Sequence, residues 1–196
     1  HVKLNQMARS FRVKTIEAGL KTAPKNLTEA FGGQDSAEWR VAADLEMNTL
    51  TEMGVLDHGY TQEMLRELNI HTKPIPMSVA LDNKYDMNGQ LDRRKVRMCV
   101  AGHKYNMQKG VHYDDVFAAA PNQNTGRMLS AMAVDMGLLR KAWDISLAYC
   151  WADLPPGQLI ALKYPKEYAK VDPKTGEPLF MVLRKNCYGH PAAAKH

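Results

Sequence analysis

Hydrophobic residues recur at helical spacing in the first third of the chain. The repeating positions are Trp39, Ala42, Ala43, Leu45, Leu50 and Met53. Asp35 or Ser36 precedes them as a candidate N-cap, with Glu38 in capping-box position, and Gly54 follows them as a stop. The pattern predicts one amphipathic helix between these limits. A second, short helix is predicted at 61–69.

Apolar and polar residues alternate in the next segment, 77–101, which is typical of strands. Asp86-Met87-Asn88-Gly89 interrupts the alternation, and Asn-Gly is the strongest short signal for a β-hairpin turn. The returning strand places one set of side chains on each face: Val96, Met98 and Val100 on one, Lys95, Arg97 and Cys99 on the other. We therefore predict a hairpin with two cations on one face, one strand repeat apart.

The second half of the chain is predicted to add a helix and three strands. After a polar break at 121–126, residues 128–140 are typical of an amphipathic helix. Its expected buried stripe is Leu129, Met132, Ala133 and Met136. Residues 142–146 are a short strand candidate, and 158–163 and 179–184 are predicted to form a strand pair. Helices and strands in this order predict an α+β fold.

Composition and charge narrow the classes of function. Hydrophobic residues make up 45% of the 196 positions, and no run approaches the roughly 20 apolar residues of a membrane span, so we expect no membrane partner. The three cysteines are scattered, which argues against a disulfide framework or a zinc ribbon and favours an intracellular location, cytoplasmic or nuclear. Seven Lys or Arg and two Asp lie between Lys84 and Gly110. Such clustering suits a polyphosphate partner, although a solvated basic face is the commoner explanation of charge alone.

The segment from Trp143 to Tyr149 contains the candidate catalytic chemistry. Asp144 is predicted to end a short apolar strand, where a rigid carboxylate can hold Mg²⁺ for two-metal phosphoryl transfer. The backbone carbonyl of Ile145 can complete the coordination, and Tyr149 can pack against the sugar of an incoming nucleotide. A single aspartate at a strand end is more often a cap or a turn former. The spacing alone leaves both interpretations open.

The order of segments from Asn26 to His196 resembles the reverse transcriptases of copia-type retrotransposons. The matching residues are Trp39, Ala42 and Glu46 of W-x-x-A-x-x-x-E; Lys84, Asp86 and Gly89 of K-x-D-x-x-G; Lys95 and Arg97 of a K-A-R strand; Gly110, Tyr113, Asp115 and Phe117 of G-x-x-Y-x-E-x-F, with Asp in place of Glu; Asp144, Ala148 and Tyr149 of D-x-x-x-A-[FY]; and Tyr188 and Gly189 of L-Y-G-L-K-Q. No single motif is specific, and the resemblance rests on all six occurring in the family's order.

The resemblance implies the α+β fold of a right-hand polymerase, in three parts. These are an upstream tether or edge segment at 1–34, a fingers-like region at 35–126 with the basic hairpin at 77–101, and part of an antiparallel palm sheet at 127–196. Asp144 is implied as the first catalytic residue, binding Mg²⁺ together with the Ile145 carbonyl. The implied nucleotide-binding residues are Lys95 and Arg97 on the triphosphate and Tyr149 as a gate against a ribose 2′-hydroxyl.

The resemblance also implies partners and points to departures from the family pattern. An intact protein would bind an RNA template, a DNA primer and deoxynucleoside triphosphates, within a polyprotein that also contains integrase and ribonuclease H regions. The Y-x-D-D hairpin, which supplies the second acidic pair, does not occur in the 196 residues. His190, Pro191 and Ala192 replace the Leu, Lys and Gln of the last motif. Because the remaining strands of the palm sheet do not occur in the 196 residues, we expect the sheet to have an unprotected edge. We also expect the isolated chain to have marginal stability.

Two alternatives come from other classes of protein. A non-catalytic nucleic-acid-binding module would use the basic hairpin to grip phosphates, with Tyr105 and Tyr113 stacking on bases. A hydrolase metal site would use His112, Asp114 and Asp115, but no second ligand group has matching spacing, and a solvated loop is the simpler interpretation. Motifs such as H-E-x-x-H, G-x-S-x-G and G-x-x-x-x-G-K-[ST] do not occur.

The missing acidic pair predicts that this 196-residue chain does not extend a primer. One carboxylate of three would hold Mg²⁺ too weakly for two-metal chemistry. The purified chain, given primer, template, deoxynucleoside triphosphates and Mg²⁺, is expected to yield no extended product beside a complete reverse transcriptase as the positive control. Template-dependent extension would contradict this prediction.

Overall fold

The computed structural model describes residues 21–102, 107–116, 122–141 and 143–193. The helices are α1 (Leu27–Gly32), α2 (Ser36–Glu52), α3 (Gln62–Glu67) and α4 (Gln123–Asp135). The strands are β1 (Leu56–Tyr60), β2 (Ile75–Tyr85), β3 (Leu91–Val100), β4 (Ile160–Lys163) and β5 (Phe180–Leu183), and short 3₁₀ turns lie at Ala148–Trp151 and Lys166–Tyr168. Predictions that concern residues 1–20, Tyr105 and Phe117 lie outside the described residues.

The five strands form one curled sheet in the order β1-β5-β4-β2-β3. All neighbouring pairs are antiparallel except β2 and β4, which pair in parallel at Ile75 and Pro76. The predicted α+β class is therefore confirmed, but the sheet is mixed rather than purely antiparallel. Strand β1 has no alternating pattern in the sequence and was not predicted.

The predicted hairpin is confirmed, and its turn explains why it forms. The Asp86 carboxylate accepts hydrogen bonds from the backbone N–H groups of Asn88 at 2.9 Å and Gln90 at 2.8 Å. Gly89 has a φ of +77°, a conformation that glycine adopts without a steric penalty. The register pairs Met77 with Val100. This register sets which β3 residues face the core and which face away from it.

Helix α2 packs against β3 and forms the centre of the hydrophobic core. Its buried residues are Trp39, Ala43, Met47 and Leu50, and they meet Val96, Met98 and Val100 of β3. The predicted helix is confirmed, although Leu45 from the predicted stripe is 67% exposed. The buried positions follow a spacing of three or four residues, which keeps one face of the helix on the strand.

Asp35 is the N-cap residue of α2, as predicted, but the capping box does not form, because both of its carboxylates bind an arginine instead. Asp35 makes no capping hydrogen bond. Its Oδ2 lies 2.9 Å from an Arg94 amino nitrogen, and Glu38 Oε2 lies 2.6 Å from Arg94 Nε. The guanidinium also lies over the Trp39 ring, 5.0 Å from its centroid. Arg94 thus joins the first turn of α2 to β3.

The predictions for α3 and for the last two strands are confirmed within a few residues. Thr61 caps α3 by accepting a hydrogen bond from the Met64 N–H at 3.2 Å. Strands β4 and β5 fall inside the predicted ranges 158–163 and 179–184 and pair with each other. Their residues Ile160, Leu162, Met181 and Leu183 join the core.

The helix predicted at 128–140 is confirmed but begins and ends earlier, and the strand predicted at 142–146 does not form in its described residues. Helix α4 begins at Gln123 because Asn122, which we placed in a polar break, caps it by accepting from the Asn124 N–H. Of the predicted buried stripe only Ala133 is buried, since no other described helix or strand packs extensively against α4; Leu129, Met132 and Met136 are exposed. Residues 143–145 form no strand, so Asp144 lies in an irregular segment rather than on the sheet.

The expected unprotected edge is covered along part of β3. This strand ends the sheet, yet the Val100 N–H donates to the Tyr188 carbonyl at 2.7 Å and the Met98 N–H donates to Glu46 Oε1 at 3.3 Å. Gly189 has a φ of +83°, and a Cβ there would lie 2.0 Å from the Val100 carbonyl oxygen. The segment around Tyr188 can approach β3 this closely only with glycine at 189.

Replacing Gly189 with alanine is expected to lower the free energy of unfolding by about 3 kcal/mol, since the backbone is strained and the added methyl group clashes with β3. Urea denaturation followed by circular dichroism measures the change. Gly176→Ala is the matched control, because Gly176 has a φ of +73° but no atom within 4 Å of the added Cβ. It is expected to cost only about 1 kcal/mol. Equal losses in the two variants would contradict the close approach.

Candidate functional site

The edge strand β3, helix α2 and the segment after α4 enclose an open cleft of about 600 Å³. We call it the β3 cleft. Its lining residues are Ala42, Leu45, Glu46 and Thr49 of α2, Arg93 to Arg97 of β3, Asp144 to Leu147, and Tyr188. Four residues singled out from the sequence meet here, namely Lys95, Arg97, Asp144 and Ile145. Four of the six motifs therefore contribute residues to one surface, namely W-x-x-A-x-x-x-E, K-A-R, D-x-x-x-A-[FY] and L-Y-G-L-K-Q.

The cations of β3 differ in their ion pairing according to the side of the strand on which they lie. Arg94, on the same side as Val96, is neutralised by Asp35 and Glu38 and donates to the Asn83 side chain at 3.0 Å. Lys95 and Arg97 alternate with these core-facing positions. Within the described parts of the chain, neither of the two forms an ion pair.

The electrostatics of Lys95 show that positive charge is concentrated here. Partial burial lowers the pKa of Lys95, and repulsion from Arg97, Arg93 and Lys84 lowers it further. The carboxylate of Glu46 acts in the opposite direction. A group of mutually repelling cations with little compensation is a favourable place for an anion with several charges.

Glu46 is the carboxylate that faces these cations from α2. Its Oε1 accepts the hydrogen bond from the Met98 N–H. Burial raises the pKa of Glu46, while the Met98 hydrogen bond and the charges of Lys95 and Arg97 oppose this rise. The sequence placed Glu46 in a family motif and favoured a packing or capping role over a place in the site. Its position beside the cations depends on the packing of α2 across β3.

Asp144 enters the cleft from a loop held by its neighbours. Trp151 Nε1 donates to the Ser146 carbonyl at 3.1 Å, and the Cys150 N–H donates to the Leu147 carbonyl at 2.7 Å. The side chain of Asp144 is exposed. Among the described residues, no group of three or more His, Cys, Asp or Glu side chains could hold a metal ion. A lone exposed carboxylate does not fit a resident Mg²⁺, which requires several oxygen ligands in octahedral geometry.

Tyr149 lies beside the cleft and does not line it. Its ring meets that of Tyr188 edge to face, with the centroids 5.6 Å apart and the planes at 85°. Tyr188 itself lines the cleft, and burial raises its pKa. The aromatic surface next to the cations therefore belongs to Tyr188, with Tyr149 packed behind it.

The metal site considered for His112, Asp114 and Asp115 is not formed. His112 is buried, and its Nδ1 accepts the Gln108 N–H at 3.0 Å. Asp114 accepts from the Gln158 side chain at 2.7 Å. Tyr113, proposed as a base-stacking residue, is partly buried and packs edge to face on His190. Tyr113 thus holds the loop against the segment that follows β5, and Asp114 holds it against the segment that precedes β4.

The cysteines converge although they are scattered in the sequence. Cys150 and Cys187 are buried free thiols, and Cys187 Sγ donates to the Met98 carbonyl at 3.5 Å. The interaction between the two thiols lowers the pKa of Cys150 and raises that of Cys187. They belong to the core beneath the β3 cleft.

A second cluster of polar side chains lies at β1, where a chain of hydrogen bonds fixes the tautomer of His58. Thr51 Oγ1 donates to the Met47 carbonyl at 2.7 Å, so the His58 Nε2–H donates to Thr51 at 2.8 Å. Tyr164 Oη then donates to His58 Nδ1 at 3.1 Å and accepts the Gly59 N–H at 3.3 Å. Every member is satisfied only when His58 is neutral.

Comparison of the chain with protein-family models, curated protein sequences and solved structures found no match. The likeness to copia-type reverse transcriptases therefore rests on the six motifs quoted above and stays a prediction. In the described ranges, no helix has the length and apolar character needed to cross a membrane.

The His58 network predicts that stability falls in mild acid. Burial lowers the pKa of His58 below its ordinary value of 6.5, the positive charge of Lys170 lowers it further, and Asp57 partly opposes both. The unfolded chain then binds the proton more readily. This contribution to stability is complete above pH 6.5 and is lost as the pH falls through the folded pKa.

His58→Gln is expected to reduce the loss of stability between pH 7.5 and 5.5, measured by urea denaturation at each pH. Burial also lowers the pKa of His112, so only the difference between wild type and variant reports on His58. His71→Gln, at an exposed position, is the control and is expected to keep the wild-type pH dependence. An unchanged pH dependence in His58→Gln would contradict the assignment.

Proposed function

We propose that this chain is part of a reverse transcriptase similar to the copia type, and that its β3 cleft binds the triphosphate of a deoxynucleoside triphosphate. The observation that carries the proposal is the position of Lys95 and Arg97, two cations without an ion pair partner among the described residues, in the cleft that Asp144 also lines. The motif order adds independent support from the sequence.

The chemistry of the cleft suits a polyphosphate. Lys95 and Arg97 are two residues apart on one strand, so their Cα atoms are about 6.6 Å apart. Both side chains are long enough for their charges to converge on adjacent phosphates. Arginine can also bind phosphate with two parallel hydrogen bonds, and lysine contributes a compact charge. Since both are partly exposed, a ligand can reach them from solvent.

The remaining parts of the polymerase assignment belong to the same proposal. Helix α2 and the hairpin would correspond to fingers and residues 127–196 to part of a palm. Asp144 and the Ile145 carbonyl would face a metal only in the intact polymerase, because Asp144 alone is not a Mg²⁺ site. Tyr149 would affect the position of the sugar indirectly, through its contact with Tyr188. The resemblance also implies that the intact protein binds an RNA template and a DNA primer. It further implies integrase and ribonuclease H regions in the same polyprotein.

Substitution of either cleft cation is expected to weaken binding of a fluorescent deoxynucleoside triphosphate at least tenfold. A charge-assisted hydrogen bond contributes about 1.5–3 kcal/mol, which corresponds to roughly tenfold to a hundredfold in Kd. Fluorescence anisotropy with Lys95→Ala, Arg97→Ala and the double variant measures the effect. Lys174→Ala is the charge-matched control, since Lys174 is exposed in a turn outside the cleft.

Three outcomes separate this proposal from its alternative. Binding that is lost in the cleft variants and kept in Lys174→Ala supports it. No binding by the wild type at low salt, or equal losses in the control, contradicts it. Salt-sensitive binding of single-stranded RNA, with no binding of the triphosphate, would instead favour the non-catalytic nucleic-acid-binding module built on the basic hairpin.

A further inference from the structure

We infer that Glu46 is a positioning residue that acts through Lys95 and Arg97, as their resident counter-anion, and so limits the affinity of the β3 cleft for polyphosphate. The inference rests on the proposed function, because it assigns a means of regulation to the same site. The carboxylate and both cations line one cleft. Glu46 is contributed by α2 and the cations by β3, so tertiary packing alone brings them together.

The position of Glu46 is fixed by the backbone of the strand that carries the cations. Its Oε1 accepts the Met98 N–H, one residue after Arg97. Because β3 is the last strand of the sheet, this N–H has no neighbouring strand to bond to, and the carboxylate takes the place of one. Leaving the cleft would break the bond, so the negative charge stays beside the cations.

The negative charge of Glu46 acts on Lys95 and Arg97 without forming an ion pair with either. The Glu46 carboxylate oxygens lie farther than 4.0 Å from the charged side-chain nitrogens of Lys95 and Arg97. It is close enough for each cation to lower the pKa of Glu46, although burial dominates and raises it. An arriving phosphate is therefore attracted by Lys95 and Arg97, as well as by Arg93 of the same lining, and is repelled by the fixed charge of Glu46. Removing one unit charge at this range raises the affinity for a multiply charged anion by roughly tenfold.

The other groups around Glu46 do not replace its charge. Cys99 of β3, Cys150 of the 3₁₀ turn and Tyr188 are within its electrostatic range, and the Glu46 carboxylate opposes ionisation of all three. Arg94 is neutralised by Asp35 and Glu38. Besides Glu46, the acidic residue lining the cleft is Asp144, which is exposed on the opposite wall.

The decisive variant is Glu46→Gln, which removes the charge and keeps an oxygen that can accept the Met98 N–H. It is expected to bind a fluorescent deoxynucleoside triphosphate about tenfold more tightly than wild type at pH 7.5. Glu46→Asp, which restores the charge, is expected to bind much more weakly than Glu46→Gln. Glu52→Gln makes the same charge change at an exposed position of α2 outside the cleft and is expected to have no effect.

A pH profile separates this electrostatic role from a purely structural one. Burial raises the pKa of Glu46, so as the pH is lowered from 7.5 this carboxylate takes up a proton sooner than an exposed glutamate would, and its competition with phosphate weakens. Phosphate loses charge in the same range, since its second pKa is near 6. The ratio of wild-type to Glu46→Gln affinity cancels that contribution. The ratio is expected to move towards one as the pH falls.

Each result decides the question. Wild-type binding that depends on Lys95 and Arg97 but is unchanged or weaker in Glu46→Gln overturns this inference and leaves the proposed function standing. Binding by Glu46→Gln alone supports it. No binding by either variant or wild type overturns both. If Glu46→Gln does not melt cooperatively, Glu46→Met, of similar length and without charge, replaces it and must show the same gain.

Discussion

The alternation of side chains along β3 is the constraint on which the core and the cleft both depend. A strand pleat sends successive side chains to opposite faces, so a shift of one residue would exchange the two sets. With the observed register, Val96, Met98 and Val100 meet α2 and are buried. Arg94, on the same side, is almost fully covered and neutralised. Lys95 and Arg97 are left for the cleft.

The edge of β3 links the stability of the fold to the chemistry of the cleft. An edge strand exposes N–H groups that would otherwise seek another strand. The protein satisfies two of them with Glu46 and with the Tyr188 carbonyl. Both residues also line the cleft. Glu46 and Tyr188 therefore both close the edge of β3 and shape the cleft. A substitution of either residue is expected to affect stability and ligand binding together.

The sequence predicted those elements whose causes are local. The Asn-Gly turn and the alternation that follows it specify the hairpin, and the Trp39 periodicity specifies α2. The wrong predictions have their causes in tertiary contacts between residues that are distant in sequence. Asp35 and Glu38 have the spacing of a capping box, but Arg94, distant in sequence, binds both. Asp144 follows an apolar stretch that would make a strand, but it lies outside the sheet. The cleft itself was predicted only as separate motifs.

The contrast between Arg94 and Arg97 shows how one strand can contain both a structural and a functional cation. Burying a guanidinium is costly unless its hydrogen bonds and charge are satisfied, so Arg94 comes with two carboxylates, an amide and an aromatic ring. Arg97 is partly exposed, water solvates it, and folding does not require a partner for it. A cation that the fold does not need to neutralise stays available for a ligand, and this availability is what the proposed function requires of Arg97.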